Sequence, residues 1–407
     1  MTDMMICRSC KNKIIKFFSL GQMPLVNSFL RSAQIPKEKK YPLEVGFCPK
    51  CYLVQLIKIV PPEKLFSDYI YFSSTSVSFL DHCQKTATSL IKKLKLGSKS
   101  LVLEIASNDG AQLKYFQEAS IPILGIDPAR NIAEAANKKG IPTIPEFFNL
   151  KFARHLRENE RVAADLVFGA NVLAHVPEIT DFVSGVREIL KPKGTAVFEF
   201  PYLGGLLENK FDTIYHEHVF YYSLLALRNL FEASGLRIYD AEMTPAQGGS
   251  LRIFASHPGV FDINGRVGEL LDKEIKLGYD KLETYRAMEA RVTILKKELT
   301  ALISDLRAKG KTVAAYSAPA KGNILLNYFG LGKKQLDFLV DKSEAKQGFY
   351  TPGTHLLVEH PRVISERKPD YLLVLCWNLA EEIKEQLKDY RANGGKFIIP
   401  IPDIKII

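Results

Sequence analysis

The chain has 407 residues, of which 46% are hydrophobic and 25% are charged, and its formal net charge is +10. This composition excludes disordered, collagen-like and low-complexity chains, and the length predicts two or three domains with packed cores. The apolar runs are shorter than the roughly 18 residues that a membrane helix needs, and the first residues lack the pattern of a secretory signal, so we expect a cytoplasmic protein with no membrane partner.

Four cysteines near the N-terminus form two pairs of the type CxxC. Cys7 and Cys10 make the first pair, and Cys48 and Cys51 make the second. Two residues between thiols allow both sulfurs to face one tetrahedral zinc ion, and four thiolates leave no open position for water. A disulfide is the alternative, which a reducing cytosol disfavours. We therefore predict a small zinc-binding module over residues 1–75, in which the zinc is structural.

Two tyrosines lie near the end of this predicted module. Tyr69 and Tyr71 stand two residues apart, and a run of serine and threonine hydroxyls follows them. On an extended segment both side chains would face the same side. Packing in a core and lining of a polar pocket explain this pattern equally well.

The second predicted domain spans residues 76–260, and from about residue 98 short apolar strands alternate in it with amphipathic helices. This alternation predicts an open α/β sheet with helices on both faces. The strand over 101–106 ends in a tight turn, and the strand over 121–126 ends at Asp127. A carboxylate at the end of the second strand is where such sheets hold the hydroxyls of a ribose. A dinucleotide enzyme would carry GxGxxG after the first strand, and the sequence lacks this pattern.

The order of these elements resembles that of class I S-adenosylmethionine-dependent methyltransferases, which have a Rossmann-like fold. In that fold the turn after the first strand holds the amino-acid part of the cofactor, and the acid after the second strand holds its ribose. The resemblance implies that Asp127 contacts the ribose and that Asn171 lies at the end of the fourth strand. It also places four residues in or beside the first loop: Glu104, Ala106, Asn108 and Gly110. Many members have two or three glycines in that loop, where this chain has one.

Four titratable side chains follow one another beyond the fifth strand: Tyr215, His216, Glu217 and His218. Histidine is the usual proton carrier at neutral pH, and a neighbouring carboxylate can fix its tautomer, so this cluster indicates acid–base chemistry. A structural hydrogen-bond cluster and a second metal site are the alternatives, although HEH lacks the i, i+4 spacing of a zinc helix. His175 is the only histidine on its apolar stretch. A structural role in the core and a functional role beside the predicted cofactor strand explain it equally well.

The last predicted domain spans residues 261–407. Helices with apolar positions at heptad-like spacing cover about 265–309, and a second strand–loop–helix unit follows over 312–329. Its loop contains a glycine and Lys321 and opens onto a helix N-terminus, where backbone N–H groups attract phosphate. This second Rossmann-like α/β domain is either an inert appendage or, as we expect, the part that holds the diphosphate of a substrate.

Taken whole, the sequence resembles the zinc-containing, S-adenosylmethionine-dependent sugar C-methyltransferases, which add a methyl branch at C3 of nucleotide-linked 4-keto deoxysugars. The motifs that carry the resemblance cover nearly all of the chain: DYIYFSSTS, EIASNDG, NVLAHVP, VFEFPYL, DTIYHEHVFYYS, GGSLRIF and YSAPAKGNILLNY. The chain departs from the family pattern at Ala106, where glycine is frequent, at Phe72 after the second tyrosine, and at Gln247 before a glycine pair.

The family resemblance also implies roles for the site residues. His218 would be the base, with Tyr215 and Glu217 beside it. His175 would belong to the active site, and Tyr71, or else Tyr69, would reach the sugar. Apart from these roles, we expect substrate contacts from Arg252 and from four residues of the C-terminal strand–loop–helix unit: Ser317, Lys321, Gly322 and Asn323.

We therefore expect methyl transfer from S-adenosylmethionine to C3 of a nucleotide-diphosphate-linked 4-keto-6-deoxysugar. The ketone makes the neighbouring C–H acidic because the carbanion delocalises as an enolate. His218 would take this proton, and Glu217 would orient its ring. Tyr215 or His175 would donate to the developing oxyanion.

Two other functions remain open from the sequence. The first is methylation of a nucleotide-sugar at C5 or at an oxygen atom, and O-methylation needs no enolate. A nucleic-acid methyltransferase is the other alternative, suggested by the zinc module and the net charge. The lysines are spread along the chain and are not clustered with aromatic residues, so we expect no nucleic-acid partner.

Overall fold

The structure of the protein, a computed structural model, describes residues 5–66, 72–75 and 77–407. Tyr69 and Tyr71, the two tyrosines of the predicted pocket, lie outside the described residues. The described strands form three sheets. None of the helices in the described ranges is long and apolar enough to cross a membrane.

The first sheet joins the N-terminal part of the chain to its middle. The N-terminal elements are β1 (Ile15–Pro24), β2 (Lys40–Phe47), β3 (Val54–Leu56) and the short helix α1 (Glu63–Phe66). The fourth strand, β9 (Phe220–Tyr221), comes from the middle of the chain, and the order is β1-β2-β3-β9 with antiparallel neighbours. Gln55 pairs with Phe220, so the residues just beyond the Tyr-His-Glu-His motif complete this N-terminal sheet.

The second sheet confirms the open α/β architecture that the sequence predicts. Its strands have the order β6-β5-β4-β7-β8-β11-β10, and β11 runs in the direction opposite to that of the other six strands. The elements of this part, apart from β9, are α2 (Val77–Leu94), β4 (Val102–Ile105), α3 (Leu113–Glu118), β5 (Ile123–Ile126), α4 (Arg130–Lys138), β6 (Thr143–Ile144), α5 (Leu150–Asn159), β7 (Ala164–Ala170), α6 (Ile179–Ile189), β8 (Leu190–Pro201), α7 (Leu203–Leu207), α8 (Leu224–Ala233), β10 (Arg237–Thr244) and β11 (Ser250–Ser256).

Buried apolar residues on both sides of the central strands explain this sheet. Val102 packs in one core with Phe116, whereas the next residue, Leu103, packs in another core with Phe182. Successive side chains of a strand face opposite sides, so helices cover both faces. The carboxyl ends of the parallel strands meet along one edge, which is where ligands bind in such sheets.

The sequence Lys-Pro-Lys-Gly over 191–194 is typical of a turn, yet these residues do not separate a helix from a strand, because β8 continues through them. The pairing of β7 with β8 has an irregularity in register between Ala164 and Leu166, where the extra residues are accommodated. A Cβ atom on Gly194 would lie only 2.8 Å from the carbonyl oxygen of Ala164. Glycine therefore allows the strand to pass close to its neighbour where a turn was expected.

The third sheet confirms a second α/β unit. Its order is β14-β13-β12-β15-β16-β17, with all neighbours parallel except the pair β16 and β17. The elements of this part are α9 (Gly265–Lys276), α10 (Leu282–Ala308), β12 (Val313–Tyr316), α11 (Ala320–Phe329), β13 (Leu339–Val340), β14 (Val358–Glu359), α12 (Val363–Arg367), β15 (Tyr371–Val374), α13 (Ala380–Gln386), α14 (Lys388–Ala392), β16 (Lys396–Ile399) and β17 (Lys405–Ile406).

The N-terminal and C-terminal parts share one hydrophobic core. The long helix α10 buries residues at helical spacing, and among them Tyr285 stacks on Phe47 of β2 with ring centroids 4.7 Å apart. Phe17 of β1 lies 5.1 Å from the same ring. The predicted domain boundaries at residues 75 and 260 stay predictions, since β9 and this core link the parts across them.

Candidate active site

Two other parts of the protein hold the segment that carries His218. Before it, the short 3-10 turn Phe211–Thr213 packs on the C-terminal domain, with the ring centroid of Phe211 5.4 Å from that of Phe329. After it, β9 belongs to the N-terminal sheet, and Val219 donates its N–H to the Ala174 carbonyl at 2.7 Å. The motif therefore folds into a loop held at the junction of all three parts of the chain.

The contacts of His218 show which ring nitrogen carries the proton. Nδ1 lies 2.9 Å from the carbonyl oxygen of Thr213, which can only accept, so Nδ1 donates. Nε2 then has the lone pair and accepts from the Tyr215 hydroxyl at 2.7 Å. Burial, and then the charges of His175 and Lys321, hold the pKa of His218 well below its usual range. The ring is neutral at neutral pH with its basic lone pair on Nε2, as a general base requires.

His175 is the second buried imidazole of the site. It ends the 3-10 turn Leu173–His175, which follows β7, and its ring centroid lies 5.0 Å from that of His218. Burial lowers the pKa of His175 to about 4, although a hydrogen bond with the Glu217 backbone acts in the opposite direction. The fold thus brings together three of the predicted catalytic side chains: His218, Tyr215 and His175.

Glu217 contacts the N-terminal part of the chain and not the His218 ring. Its Oε1 accepts from Asn27 Nδ2 at 2.6 Å, and burial raises the pKa of Glu217 to about 7. The structure therefore corrects the expected orienting role of Glu217, because the Thr213 carbonyl takes that role. The motif forms a turn, in which neighbouring side chains diverge. His216 is likewise turned elsewhere, and its buried ring packs against the ring of Tyr41 with centroids 5.9 Å apart.

Lys321 is the one residue that the sequence pattern singled out from a group of residues at the interface with the C-terminal domain. Trp377, the only tryptophan, donates its Nε1–H to Asp212 Oδ2 at 2.7 Å. The ammonium groups of Lys321 and Lys210 lie 5.5 and 6.0 Å from the centroid of the Trp377 ring. For Asp212, the only signal in the sequence was its position at the start of the motif DTIYHEH.

The other predicted residues of the C-terminal loop are largely occupied by contacts within the protein. Asp341 accepts from Ser317 Oγ at 3.1 Å and from the next backbone N–H at 2.6 Å. A Cβ on Gly322 would lie 2.7 Å from Leu375 Cβ, so this glycine lets α11 approach β15 closely. Asn323 donates to the Val26 carbonyl at 2.8 Å. The side chain of Lys321 has no hydrogen bond to any described residue.

Arg252 is held inside the central sheet. Its guanidinium group donates to Glu199 at 2.8 and 2.6 Å and to Thr86 Oγ1 at 2.8 Å. The other oxygen of Glu199 lies 2.7 Å from His82 Nε2. These contacts give Arg252 a place in a buried network, and its predicted contact with the substrate stays a prediction.

The loop after β4 forms the edge where the cofactor is expected. Ala106 and Asn108 both have positive φ, of 57° and 49°. Asp127 accepts from the N–H of Asn108 at 2.9 Å and from that of Ala129 at 2.9 Å, so it ties this loop to the end of β5. The left-handed backbone at Ala106 gives a physical reason for the glycine that is frequent there in the family.

The same edge carries a cluster of acidic side chains. Glu104 Oε2 is buried and has no hydrogen-bond partner within the described ranges. Burial, followed by the charges of Asp127 and Asp109, raises the pKa of Glu104 well above its usual range. S-adenosylmethionine carries an ammonium and a sulfonium group, so an unpaired carboxylate at this place fits that cofactor. Glu104 and Asp127 would hold it, with Asn171, whose φ is 57° after β7, on the adenine side.

A contact that the sequence pattern did not reveal covers this loop. Asp109 accepts from the N–H of Ser74 at 3.2 Å and from Lys139 Nζ at 2.7 Å. Ser73 donates its N–H to Asn108 Oδ1 at 2.9 Å. The segment 72–75 of the N-terminal part therefore packs directly on the expected cofactor loop.

The four cysteines of the N-terminal pairs converge as a metal site requires. Their sulfur atoms lie within 4.8 Å of one another, with Cys7 and Cys51 3.6 Å apart and Cys10 and Cys48 3.4 Å apart. A tetrahedron with Zn–S bonds of about 2.3 Å has sulfurs about 3.8 Å apart, so the four thiols fit zinc. They are too far apart for disulfide bonds. Zinc held by four thiolates contributes folding energy and leaves no position for catalysis.

Comparison with known families divides the chain into three matched stretches. Residues 7–66 match a zinc binding domain, residues 79–241 match a methyltransferase domain, and residues 245–402 match a C-methyltransferase C-terminal domain. The first match contains the four cysteines, and the second contains the expected cofactor loop. The structural zinc module and the methyltransferase fold are therefore confirmed.

A relative of known class covers almost the whole chain. The C-methyltransferase NovU of Streptomyces niveus is 37% identical over 406 residues, which are 98% of this chain and 96% of that protein. The chain belongs to the C-methyltransferase family. It is an S-adenosylmethionine-dependent methyltransferase with a structural zinc site, which confirms the expected family, enzyme class and cofactors.

Solved structures resemble a smaller part of this C-methyltransferase. Magnesium protoporphyrin IX methyltransferase (ChlM) from Synechocystis PCC 6803 is 16% identical, with a TM-score of 0.36, over 46% of this chain and 89% of that one. The mitomycin 7-O-methyltransferase MmcR is 14% identical, with a TM-score of 0.36, over 45% of this chain and 55% of that one. In each case less than half of this chain is covered.

Proposed function

We propose that this C-methyltransferase methylates C3 of a nucleotide-diphosphate-linked 4-keto-6-deoxysugar, with His218 as the base. The observation that carries the proposal is the neutral, buried imidazole of His218, which keeps its lone pair on Nε2. A plain sugar C–H is far too weak an acid for an imidazole. A neighbouring ketone lowers this barrier because the carbanion becomes an enolate, so a base of this strength requires a keto sugar.

The neighbours of His218 suit the charge that develops on the ketone oxygen. In the absence of sugar the Tyr215 hydroxyl donates to Nε2 at 2.7 Å. When the sugar binds, the Tyr215 O–H turns from Nε2 to the ketone oxygen, which frees the lone pair of Nε2 to take the proton from C3 and leaves the O–H to stabilise the enolate oxygen. His175 is neutral at the same pH, since burial lowers its pKa to about 4, and offers a second donor. S-adenosylmethionine supplies an electrophilic methyl group when bound, and the chain aligns the enolate carbon with it.

Lys321 is the residue of the C-terminal loop that supports a diphosphate handle. Its ammonium group lies over Trp377, has no hydrogen bond within the described part of the chain, and stands near Lys210. Burial lowers the pKa of Lys321, the charge of Asp212 acts in the opposite direction, and the charge of Lys210 lowers the pKa further. Lys210 already forms an ion pair with Glu208 at 3.2 Å, whereas no carboxylate among the described residues lies within ion-pair distance of Lys321. The diphosphate of a nucleotide-sugar would give Lys321 a charged partner.

Proton exchange at carbon tests the base without methyl transfer. A small panel of nucleotide-linked 4-keto-6-deoxysugars is incubated with the protein in deuterium oxide, without S-adenosylmethionine, and analysed by NMR and mass spectrometry. We expect deuterium at C3, and a methyl branch at the same carbon once the donor is added. Deuterium and a methyl group at C5 instead of C3 would favour C5 methylation. A methyl group on an oxygen atom, without exchange at carbon, would exclude an enolate.

Substitution of the base completes this test. His218→Asn should abolish both exchange and methylation, since an amide cannot take the proton, while the dissociation constant of S-adenosylmethionine stays within about twofold in calorimetry. His257→Asn, in the segment between β11 and α9, is the matched control and should keep full activity. Full activity of His218→Asn, or its loss of donor binding, would contradict the assignment.

A further inference from the structure

The turn Phe211–Thr213 links His218 to the C-terminal domain. Thr213 offers the carbonyl that fixes the His218 Nδ1 proton at 2.9 Å, and the preceding residue, Asp212, contacts Trp377. Trp377 begins the 3-10 turn that follows β15, so it stands at the carboxyl edge of the third sheet. Two consecutive residues therefore make the contact with the C-terminal domain and the contact with the base.

The buried position of Asp212 is unfavourable for a carboxylate unless the side chain holds a neighbouring group in place. Its side chain is fully buried, and of its two oxygens Oδ2 accepts from Trp377 Nε1 at 2.7 Å. Oδ1 has no hydrogen-bond partner among the described residues. Burial raises the pKa of Asp212, and the charge of Lys321 acts against that rise. A buried carboxylate with half of its acceptors unused is costly, so its single hydrogen bond strongly restricts where the turn can lie.

Aromatic packing holds the same turn from its other side. The ring of Phe211 lies 5.4 Å from Tyr328 and 5.4 Å from Phe329, both of α11. These contacts fix the start of the turn, whereas the indole N–H of Trp377 fixes the middle. The position of the Thr213 carbonyl thus depends on the C-terminal domain.

We propose that Asp212 and Trp377 are positioning residues, through which the C-terminal domain holds the Thr213 carbonyl against Nδ1 and so keeps the lone pair of His218 on Nε2. Without that carbonyl, the proton of a neutral imidazole moves freely between the two nitrogens, and the fraction of molecules with a basic Nε2 falls. Neither residue touches the substrate in this scheme. The proposal rests on the proposed role of His218, but the tautomer itself is measured without any substrate.

The test reads the tautomer of His218 directly. Full-length protein with 15N-labelled histidine is studied by NMR, and the His218 ring signals are assigned by their loss in His218→Asn. Wild type should show a proton on Nδ1 and none on Nε2. Trp377→Phe keeps an aromatic ring but removes the N–H, and Asp212→Ala breaks the same hydrogen bond from the other side. Both variants should increase the fraction with the proton on Nε2.

Asp212→Asn is the conservative rescue, because its amide oxygen still accepts from the Trp377 N–H. It should keep the wild-type tautomer and a kcat within about threefold, whereas Trp377→Phe and Asp212→Ala should lower kcat about tenfold to a hundredfold with an unchanged KM for S-adenosylmethionine. Arg291→Gln is the control. It removes another hydrogen bond of the C-terminal part, from Arg291 of α10 to the Leu207 carbonyl at 2.7 Å, and should leave the tautomer as in wild type.

Several outcomes would overturn the proposal. A wild-type tautomer in both Trp377→Phe and Asp212→Ala would show that the turn holds its place without them. If kcat falls as far in Asp212→Asn as in Asp212→Ala, the effect depends on the charge of Asp212 and not on its hydrogen bond with Trp377. If His218→Asn keeps its activity, the proposed base is wrong, and the tautomer measurement still decides whether the C-terminal domain positions the ring.

Discussion

The central and C-terminal sheets are built alike at the edge where ligands bind in such folds. In each, the first strand is followed by a residue other than glycine with positive φ, Ala106 at 57° and Ser317 at 72°. In each, the second strand is followed by an aspartate that accepts an N–H of the first loop, Asp127 at 2.9 Å and Asp341 at 2.6 Å. The two edges therefore share their backbone geometry down to single residues.

The charges at the two edges differ. Beside Asp341 the structure places Lys346 at 3.4 Å, and Lys321 of the same loop has no hydrogen bond within the described residues. No cation among the described residues forms an ion pair with Asp127 or Glu104, and burial raises the pKa of both carboxyl groups. One edge thus suits a cationic ligand and the other an anionic one. The comparison teaches that charge, and not the shared topology, selects the ligand.

The largest expected effect comes from replacing the carboxyl group of Glu104 at the ligand-binding edge of the central sheet. Glu104→Gln removes the unpaired carboxylate, and we expect the affinity for S-adenosylmethionine to fall about tenfold to a hundredfold, since hydrogen bonds to charged groups are worth about 1.5–3 kcal/mol. Calorimetry with S-adenosylmethionine measures this change. Nucleoside diphosphate binding should be unaffected, because we propose that this ligand binds at the other edge.

The pH dependence of donor binding sharpens the same prediction. Because burial raises the pKa of Glu104 well above its usual range, the free protein binds a proton there that a cationic ligand would displace. Binding of S-adenosylmethionine should then release protons and become tighter as the pH rises, until Glu104 is ionised in the free protein. Glu104→Gln should lose this dependence, and Glu134→Gln, at an exposed position of α4, should keep it. A pH-independent affinity in wild type would refute the assignment.

The next effect concerns the anionic ligand. Lys321→Ala should raise the KM for the nucleotide-sugar about tenfold, because one charge-assisted contact is lost, and should leave the affinity for S-adenosylmethionine unchanged. Lys296→Ala is the matched control, since Lys296 also lies over an aromatic ring, 4.3 Å from the centroid of Tyr328, but away from Trp377. Equal effects of both substitutions on the nucleotide-sugar would remove the reason to place the diphosphate at Lys321.

Patterns that repeat along the chain were the ones that predicted structure correctly. The CxxC spacing predicted four converging thiols, and the alternation of strands and helices predicted both α/β sheets. The long amphipathic stretch before residue 309 predicted α9 and α10. Each of these features follows from local chemistry, either two ligands on one turn or one apolar face on one element.

Contacts between distant residues could not be predicted in the same way. The sequence places Glu217 beside His218, yet the ring is held by the Thr213 carbonyl and Glu217 pairs with Asn27. The pairing of Asp212 with Trp377, 165 residues away, has no local signature at all. Side chains that are adjacent in a turn diverge, so adjacency indicated a shared function but not a shared hydrogen bond.

The smallest expected effect tests whether the two edges also share their strain. Ala106→Gly should relieve the left-handed backbone, worth about 1–2 kcal/mol for an L-residue, less about 0.4–1 kcal/mol from the freer unfolded chain. The thermal midpoint of the full chain should therefore rise by about 1 °C. Ser317→Gly relieves the same conformation but loses the hydrogen bond to Asp341 at 3.1 Å, so its midpoint should stay near that of wild type. A rise in both variants would show that the Ser317 hydroxyl adds nothing to its loop, and a fall in Ala106→Gly would mean that the methyl group of Ala106 contributes more by packing than its backbone conformation costs.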